Sequence, residues 1–436
     1  MKAIKNYIFE ILLAVISLCL LVLLVAPYWF GYQMQASYEN IIESFSENTG
    51  YSYEVVSFDR GWFSTEADLL VKTPENQSLF YFRHQIIHGP VYLGLMLDGD
   101  SPFVNLVING QLLSASGSDH LLAKLIRNNE YPVRVKMAQR MNDDALVEFD
   151  IPDISQKISG VMYKLEEAKL DFDYLAELGR FQGELKLKSL AIQNQSAIEI
   201  SQLILNFNQL LTSDSFAGDF VVSLDGLKLK LFEQLTSFRQ VSSRIKNKKQ
   251  ANLMDLDIDL NTSTINAFNE QINSLSLGIG FSSIYYELFK TQFFKVLYFS
   301  EQDSAFDFNF FEQVKINPFS FFSEHGSFTS NLELNANKPV SGKQQDFYHR
   351  YNTQFNLEVT DMLLKRIYEI LTTSLDVKMN NVSVFVDKMQ QQNYLEKHSN
   401  KYTIRLQSKD DKYLINDLLI PYQDFDTNIS NAIFTN

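Results

Sequence analysis

Met254-Asp255-Leu256-Asp257-Ile258-Asp259-Leu260 alternates apolar and acidic residues without a break, and Leu275-Ser276-Leu277-Gly278-Ile279-Gly280-Phe281 repeats the alternation shortly afterwards. A period of two places every apolar side chain on one face of an extended segment, so both stretches read as half-buried antiparallel strands. The same alternation, slipped by one residue partway along, runs from Leu185 and Leu187 to Leu190 and Ile192, and from Ile198 and Ile200 to Leu203, Leu205 and Phe207. It recurs from Val222 and Leu224 to Leu227, Leu229 and Leu231, and from Val377 and Met379 to Val382, Val384 and Val386. A one-residue slip throws the apolar set onto the opposite face unless a bulge absorbs the extra residue. Two readings follow: one long, twisted and curved sheet with bulged strands, or short strands joined by tight turns. The spacing is too irregular for a fixed-period repeat.

Helices punctuate these strands. Asp119 to Arg127 has a polar start and an apolar stripe of Leu121, Leu122, Leu125 and Ile126, and Thr360 to Leu375 sets Leu363, Leu364, Ile367, Ile370 and Leu371 on one face. Phe232 to Lys249 reads as a third helix whose C-terminus carries Arg244, Lys246, Lys248 and Lys249, basic residues that suit that pole of the helix dipole. Nearer the N-terminus, Tyr51 to Phe58 and Leu79 to His88 read as strands, with Gly61 at a bend or bulge after the first, beyond which Ala67, Leu69 and Val71 resume the period of two.

Upstream lies Ile11 to Tyr32, an uncharged run broken only by Ser17, Cys19, Pro27 and Gly31. At ~1.5 Å per residue it is long enough to cross ~30 Å of hydrocarbon. Lys2 and Lys5 precede it and Glu39, Glu43, Glu47 and Glu54 follow, which sets the N-terminus in the cytoplasm and the body outside. Val25-Ala26-Pro27-Tyr28-Trp29 lacks the small-residue pattern of a cleavage site, and Tyr28 and Trp29 suit an interfacial aromatic belt, so the run reads as an uncleaved anchor. Beyond it Met34, Tyr38, Ile41, Ile42 and Phe45 share one helical face, suited to packing on the chain's own body or to dimerisation.

The 436 residues carry a net charge of −14, which disfavours a phosphate-backbone partner. Cys19, inside the hydrophobic run, is the only cysteine, so the body has no disulfide, thiol nucleophile or cysteine zinc site.

Arg60-Gly61-Trp62-Phe63-Ser64-Thr65-Glu66-Ala67 and, further on, His88-Gly89-Pro90 follow the hydrophobic run. In that order they resemble the YdgA-like family of bacterial inner-membrane proteins, a domain of unknown function (DUF945). The family pattern reads roughly Arg-Gly-x-Phe-Ser-Ser-x-Ala, so Thr65 departs from it mildly. Tyr413-Leu414-Ile415-Asn416-Asp417 is similar to the family's closing strand, with Asp417 in a place where the family has Gly. The resemblance implies a periplasmic body and a structural motif made of Arg60, Gly61, Phe63, Ser64, Ala67, His88, Gly89 and Pro90. It implies no catalytic residues.

His84-Gln85-Ile86-Ile87-His88 resembles a zinc-peptidase motif without its acid. On a strand, residues four apart are ~13 Å apart and cannot share an ion. Asp255, Asp257 and Asp259 lie along one strand face, too straight for a calcium loop. No nucleophile elbow, phosphate loop or dinucleotide fingerprint is present.

The sequence thus predicts a mostly β (α+β) protein. Residues 1–10 are a cytoplasmic tail, 11–32 a transmembrane anchor, 33–48 a juxtamembrane helix, 49–160 an N-terminal β subdomain bearing both motifs, and 161–436 a β-rich body with helical insertions. The expected role is a non-enzymatic envelope scaffold without cofactor or metal. Its partners would be the bilayer and a lipid or extended polypeptide in an apolar groove, with no role for nucleic acid. An interaction module or homodimer recruiting an envelope partner is the alternative, and a cryptic hydrolase the third reading.

Overall fold

Alternation dominates the chain, and in the computed structural model it becomes, among the described residues, twenty-one strands whose named pairings are antiparallel. The structure describes residues 25–35, 38, 40, 42–43, 51–73, 76–92, 94–97, 101–127, 132–212, 215–231, 234–267, 270–287, 311–336, 351–374, 381–409, 412–422, 424–425 and 427. Two units emerge, residues 1–194 and 195–436.

The first unit opens with a helix, α1, at residues 25–35, with positions 38, 40, 42 and 43 also helical. Its sheet follows chain order: β1 (Ser52–Arg60), β2 (Ser64–Lys72), β3 (Ser78–His88), β4 (Val104–Ser114), β5 (Val133–Arg140), β6 (Ala145–Ile151), β7 (Ile154–Ile158), β8 (Val161–Leu175) and β9 (Arg180–Gln193). β6 and β7 lie one after the other along β8, interrupted at Pro152-Asp153, because proline has no N–H to give a ladder. This pairing keeps residues 161–193 with the first unit. Two short helices, α2 (Gly94–Leu97) and α3 (Leu121–Arg127), sit in the connections. One sheet face packs Ala67, Leu69 and Ile86 against Tyr38 and Ile42, and a separate cluster holds Leu95, Val104, Val107 and Ala138.

The second unit contains β10 (Ala197–Leu211), β11 (Ser215–Leu231), β12 (Gln234–Gln250), β13 (Leu253–Ala267), β14 (Glu270–Tyr285), β15 (Gln313–Ser323), β16 (Gly326–Ala336) and β17 (Tyr351–Thr360). After β17 come α4 (Asp361–Ser374) and α5 (Val382–Gln391), then β18 (Glu396–His398), β19 (Lys401–Lys409), β20 (Lys412–Ile415) and β21 (Leu418–Pro421). β19 returns to pair with β17, and β18 and β20 share its other edge. One core cluster centres on Met254, Ile284, Phe311 and Tyr351, and a second packs α4 and α5 on the sheet through Leu363, Val386 and Met389.

The slips are not bulges with an extra residue on one strand but single lost rungs at matching levels in neighbouring strands, the register shifting only where β14 meets β15 at Ser274. In the first unit Glu167 on β8 takes a φ of 45°, and the ladder to β9 skips only its pairing with Lys188. In the second, Gln202, Gln240 and Ser274 adopt φ of 50°, 49° and 52°, at the levels where β10 to β14 lose one rung each. Register survives, so Ile200 stands opposite Leu227 before the slip and Leu203 opposite Leu224 after it. Each left-handed non-glycine residue costs on the order of 1–3 kcal/mol, yet a shared slip preserves the rungs on either side.

Two elements differ from the sequence reading. Residues 234–250 form a strand, not a helix, because the slip at Gln240 spaces Phe238, Val241 and Ile245 three and four apart and so imitates a helical face. Conversely, Val382-x-Val384-x-Val386 belongs to helix α5: Asn381 caps it by accepting from the Ser383 N–H at 3.0 Å, and Val386 and Met389 are buried. Residues 375–380 lie outside the described residues, as do 11–24 of the hydrophobic run and Ile41 and Phe45 of the stripe beyond it. Among the described residues no helix is long and apolar enough to cross a membrane.

Candidate helix socket and apolar sheet face

The motif residues converge on α1. Its buried positions are Pro27 and Gly31, continued by half-buried Met34 and buried Tyr38 and Ile42, one stripe at helical spacing that faces β2 and β3. Gly31 lies against the His88 imidazole so closely that a Cβ there would stand 2.3 Å from the ring. Arg60, at the end of β1, sets its guanidinium 5.1 Å from the Tyr28 ring and 5.5 Å from that of Tyr32. Trp62 packs on Tyr28 with ring centroids 4.9 Å apart.

Beneath the helix the two histidines occupy equivalent stations. His84 Nδ1 is 3.0 Å from the Phe82 carbonyl, which can only accept, so Nδ1 carries the proton and Nε2 accepts from the Tyr38 hydroxyl at 2.8 Å. His88 Nδ1 lies 3.4 Å from the Trp62 carbonyl, the Pro27 carbonyl also bonds the ring, and Nε2 pairs with Thr65 Oγ1 at 2.9 Å. Burial pushes the His84 imidazole below its ordinary value, against smaller upward pulls from the Phe82 carbonyl and Asp68. Burial lowers His88 as well, aided by Arg60 and opposed by the carbonyls of Trp62 and Pro27. Burial drives the Tyr38 hydroxyl the other way, upward. All three groups are therefore neutral at pH 7.

The remaining motif residues shape the socket. Gly61 donates its N–H to the Ser64 carbonyl at 2.8 Å, closing the β1–β2 turn, and the His88 N–H reaches the Phe63 carbonyl at 2.9 Å. Ala67 is buried under Tyr38, where a larger side chain would lift the helix. Gly89 bonds the Asn105 carbonyl at 2.8 Å, and a Cβ there would come within 2.0 Å of the Val104 carbonyl oxygen. Pro90 follows through a cis peptide, and its carbonyl accepts from the Val104 N–H at 3.1 Å. Burying Tyr38 and Ile42 contributes about 1.5–3 kcal/mol each and the Tyr38–His84 bond about 1 more, enough to hold the helix down. The stripe of Met34, Tyr38 and Ile42 packs on the chain's own body, one of the two roles its helical spacing suited, whereas sequence reasoning gave Gly31 and Thr65 no place in the site, the latter fully buried. Thr65 was legible only as a departure from a family pattern, and Gly31 only as a glycine inside a helix.

His84 and His88 share a strand face, but their ring nitrogens are spent on separate partners. In the second unit Glu270, Glu324 and His325 bring one ligand atom each within 4.8 Å of one another. Arg366 already occupies Glu270 Oε1, from Nε at 2.7 Å and from Nη2, while His325 Nε2 lies 3.1 Å from Oε2. The guanidinium supplies the positive charge there. The Asp255, Asp257 and Asp259 face is likewise answered, since Lys248, Lys246 and Arg244 stand directly opposite on β12.

An open concavity of about 860 Å³ in the first unit is lined mainly by charged and amide side chains, among them Asp68, Arg83, Lys136 and Glu148. The second unit offers the opposite character. Paired rung by rung, Phe207, Phe220, Ile245, Ile258 and Ile279 continue into Ile316, Leu332, Phe355, Leu406 and Ile415, an apolar row across ten strands. All but the buried Ile415 remain half-buried. Leu260, Leu277 and Phe319 form a second, shorter row beside it, which ends at Ser330.

No curated protein and no solved structure matches the chain. A family model matches residues 8–297, which takes in the hydrophobic run, both motifs and β1 to β14, and stops short of Tyr413 to Asp417. With two thirds of its length matched, the chain belongs to the family described as bacterial protein of unknown function, DUF945.

Proposed function

We propose that the chain is a non-catalytic, inner-membrane-anchored scaffold of the bacterial envelope, with its body in the periplasm and its second unit holding lipid hydrocarbon along the apolar row. The observation that carries this reading is the row itself: nine half-buried aliphatic and aromatic side chains aligned across consecutive strands. Leu332 and Leu406 already pack on the core clusters, and each of the others would gain on the order of 1 kcal/mol if an occupant completed its burial. Strands ~4.8 Å apart give ten of them a run of ~43 Å, ample for an acyl chain. A polypeptide fits less well, because an extended peptide binds through backbone hydrogen bonds at a sheet edge, and the row lies on a sheet face whose backbone groups are already paired.

Of the two roles open to the stripe beyond the hydrophobic run, packing on the chain's own body is the one adopted by Tyr38 and Ile42, buried against β2 and β3, which leaves these residues little to offer a second copy. Native mass spectrometry of the full chain extracted in mild detergent tests the proposal. Co-purifying phospholipid is expected from the wild type and its loss from Ile258→Glu with Ile279→Glu. A folded wild-type chain free of lipid overturns the reading.

A further inference from the structure

Opposite the docked stripe, α1 presents its aromatic side chains outward. Trp29 is 58% exposed and Tyr32 57%, and the β1–β2 turn lifts Trp62 and Phe63, at 52% and 53%, beside them. The Trp62 ring packs on Tyr28, and Arg60, whose guanidinium is shared between the Tyr28 and Tyr32 rings, has no carboxylate bridging it among the described residues. The sequence around this patch sets its level relative to a bilayer. An uncharged run beginning at Ile11 uses up ~30 Å of hydrocarbon in ~20 residues. That count ends next to Tyr28 and Trp29. Since Trp62 lies 4.9 Å from Tyr28, whatever plane holds one ring holds the other.

We infer that the Arg60-Gly61-Trp62-Phe63 turn is a membrane-interface foot, with Trp62 and Phe63 seated at the phospholipid carbonyl level beside Tyr28, Trp29 and Tyr32, and Arg60 reaching the headgroup phosphates. Tryptophan and tyrosine favour this boundary because one end of each ring system is apolar and the other hydrogen-bonds. The long arginine side chain keeps its stem among the rings and its charge at the phosphate layer. The first unit would then rest directly on the bilayer, with the His88 socket at the membrane surface. The inference rests on the anchor proposed above, and the two are separable, because Trp29 and Trp62 are the chain's only tryptophans.

The experiment places the full chain in nanodiscs of phosphatidylethanolamine and phosphatidylglycerol, with brominated acyl chains as depth-dependent quenchers. In Trp29→Phe the emission reports Trp62 alone, and in Trp62→Phe it reports Trp29 alone. The expected result is quenching of Trp62 by bromine near the glycerol end of the acyl chain, stronger than by bromine near the methyl end, with Trp29 at a similar depth. Quenching of Trp29 with none of Trp62 overturns the foot and leaves the anchor standing. Absence of quenching at both positions overturns foot and anchor together. Should Trp29→Phe fail to fold, bromine quenching of the wild-type chain is compared with that of Trp62→Phe: equal fractional quenching is expected when both rings lie at one depth, and weaker fractional quenching of the wild type, from an unquenched Trp62, overturns the inference.

Discussion

Gly31 shows how a single contact can reverse a general preference. In an exposed helix, glycine to alanine stabilises by up to about 1 kcal/mol. Here the added Cβ meets the His88 ring at 2.3 Å. Gly31→Ala is therefore expected to lower stability, by about 1–3 kcal/mol as overpacked sites do, and to open residues 25–43 to limited proteolysis. A gain in thermal midpoint would show that the helix is not seated as described. The two buried histidines give the site a pH dependence of known sign. Both titrate lower in the folded chain than in the unfolded one. Below about pH 6.5 the unfolded chain binds the additional protons, and stability falls as the pH drops toward the folded values, by at most about 1.4 kcal/mol per pH unit for each ring. Urea midpoints across that range should fall less steeply in His84→Gln than in the wild type. Asp417 belongs at this scale too. With Asn416 it forms a two-residue hairpin turn at φ of 42° and 68°, the geometry in which glycine is least strained. Asp417→Gly should raise the thermal midpoint, by an amount equivalent to about 1 kcal/mol or less.

At the scale of elements the charged face of β12 and β13 has the clearest consequence. Lys246 stands opposite Asp257 and Arg244 opposite Asp259, with Arg244 also bridging Asp219 at 2.6 Å. Such exposed cross-strand pairs contribute about 0.2–1 kcal/mol each. Lys246→Glu should destabilise by roughly that amount, and adding Asp257→Lys should restore it. A double variant no better than the single would show that the pair does not form. The period-two spacing of Arg244, Lys246 and Lys248 already announced a strand, but the slip at Gln240 hid it behind a helical spacing of apolar residues. The same ambiguity worked in reverse for α5, where valines two apart share a helix whose burial is set by Phe385, Val386 and Met389. Uninterrupted alternation and a capped amphipathic helix are local signals. What a slip does depends on the strand alongside, and that partner is not written in the same stretch. The socket was half legible for a similar reason: its loop residues stand out as a motif and Met34, Tyr38 and Ile42 as an apolar stripe, while Pro27 and Gly31 sit in a hydrophobic run with its own explanation.

For the whole molecule, the proposed orientation makes a direct prediction. Protease added outside spheroplasts should digest both units and leave only a short N-terminal fragment with the membrane; full protection would put the body in the cytoplasm. Within each unit the strands also pair largely in the order in which they are made, β1 with β2 through to β9 in the first and β10 through to β17 in the second. Contacts that close over short loops form early and cost little chain entropy. A polypeptide emerging N-terminus first from a ribosome or a translocation pore thus finds, for each new strand, a template completed moments before. It need never wait for a distant partner. The corresponding hazard is that the growing sheet always carries one unpaired edge, so the half-made chain is the form most in need of a chaperone.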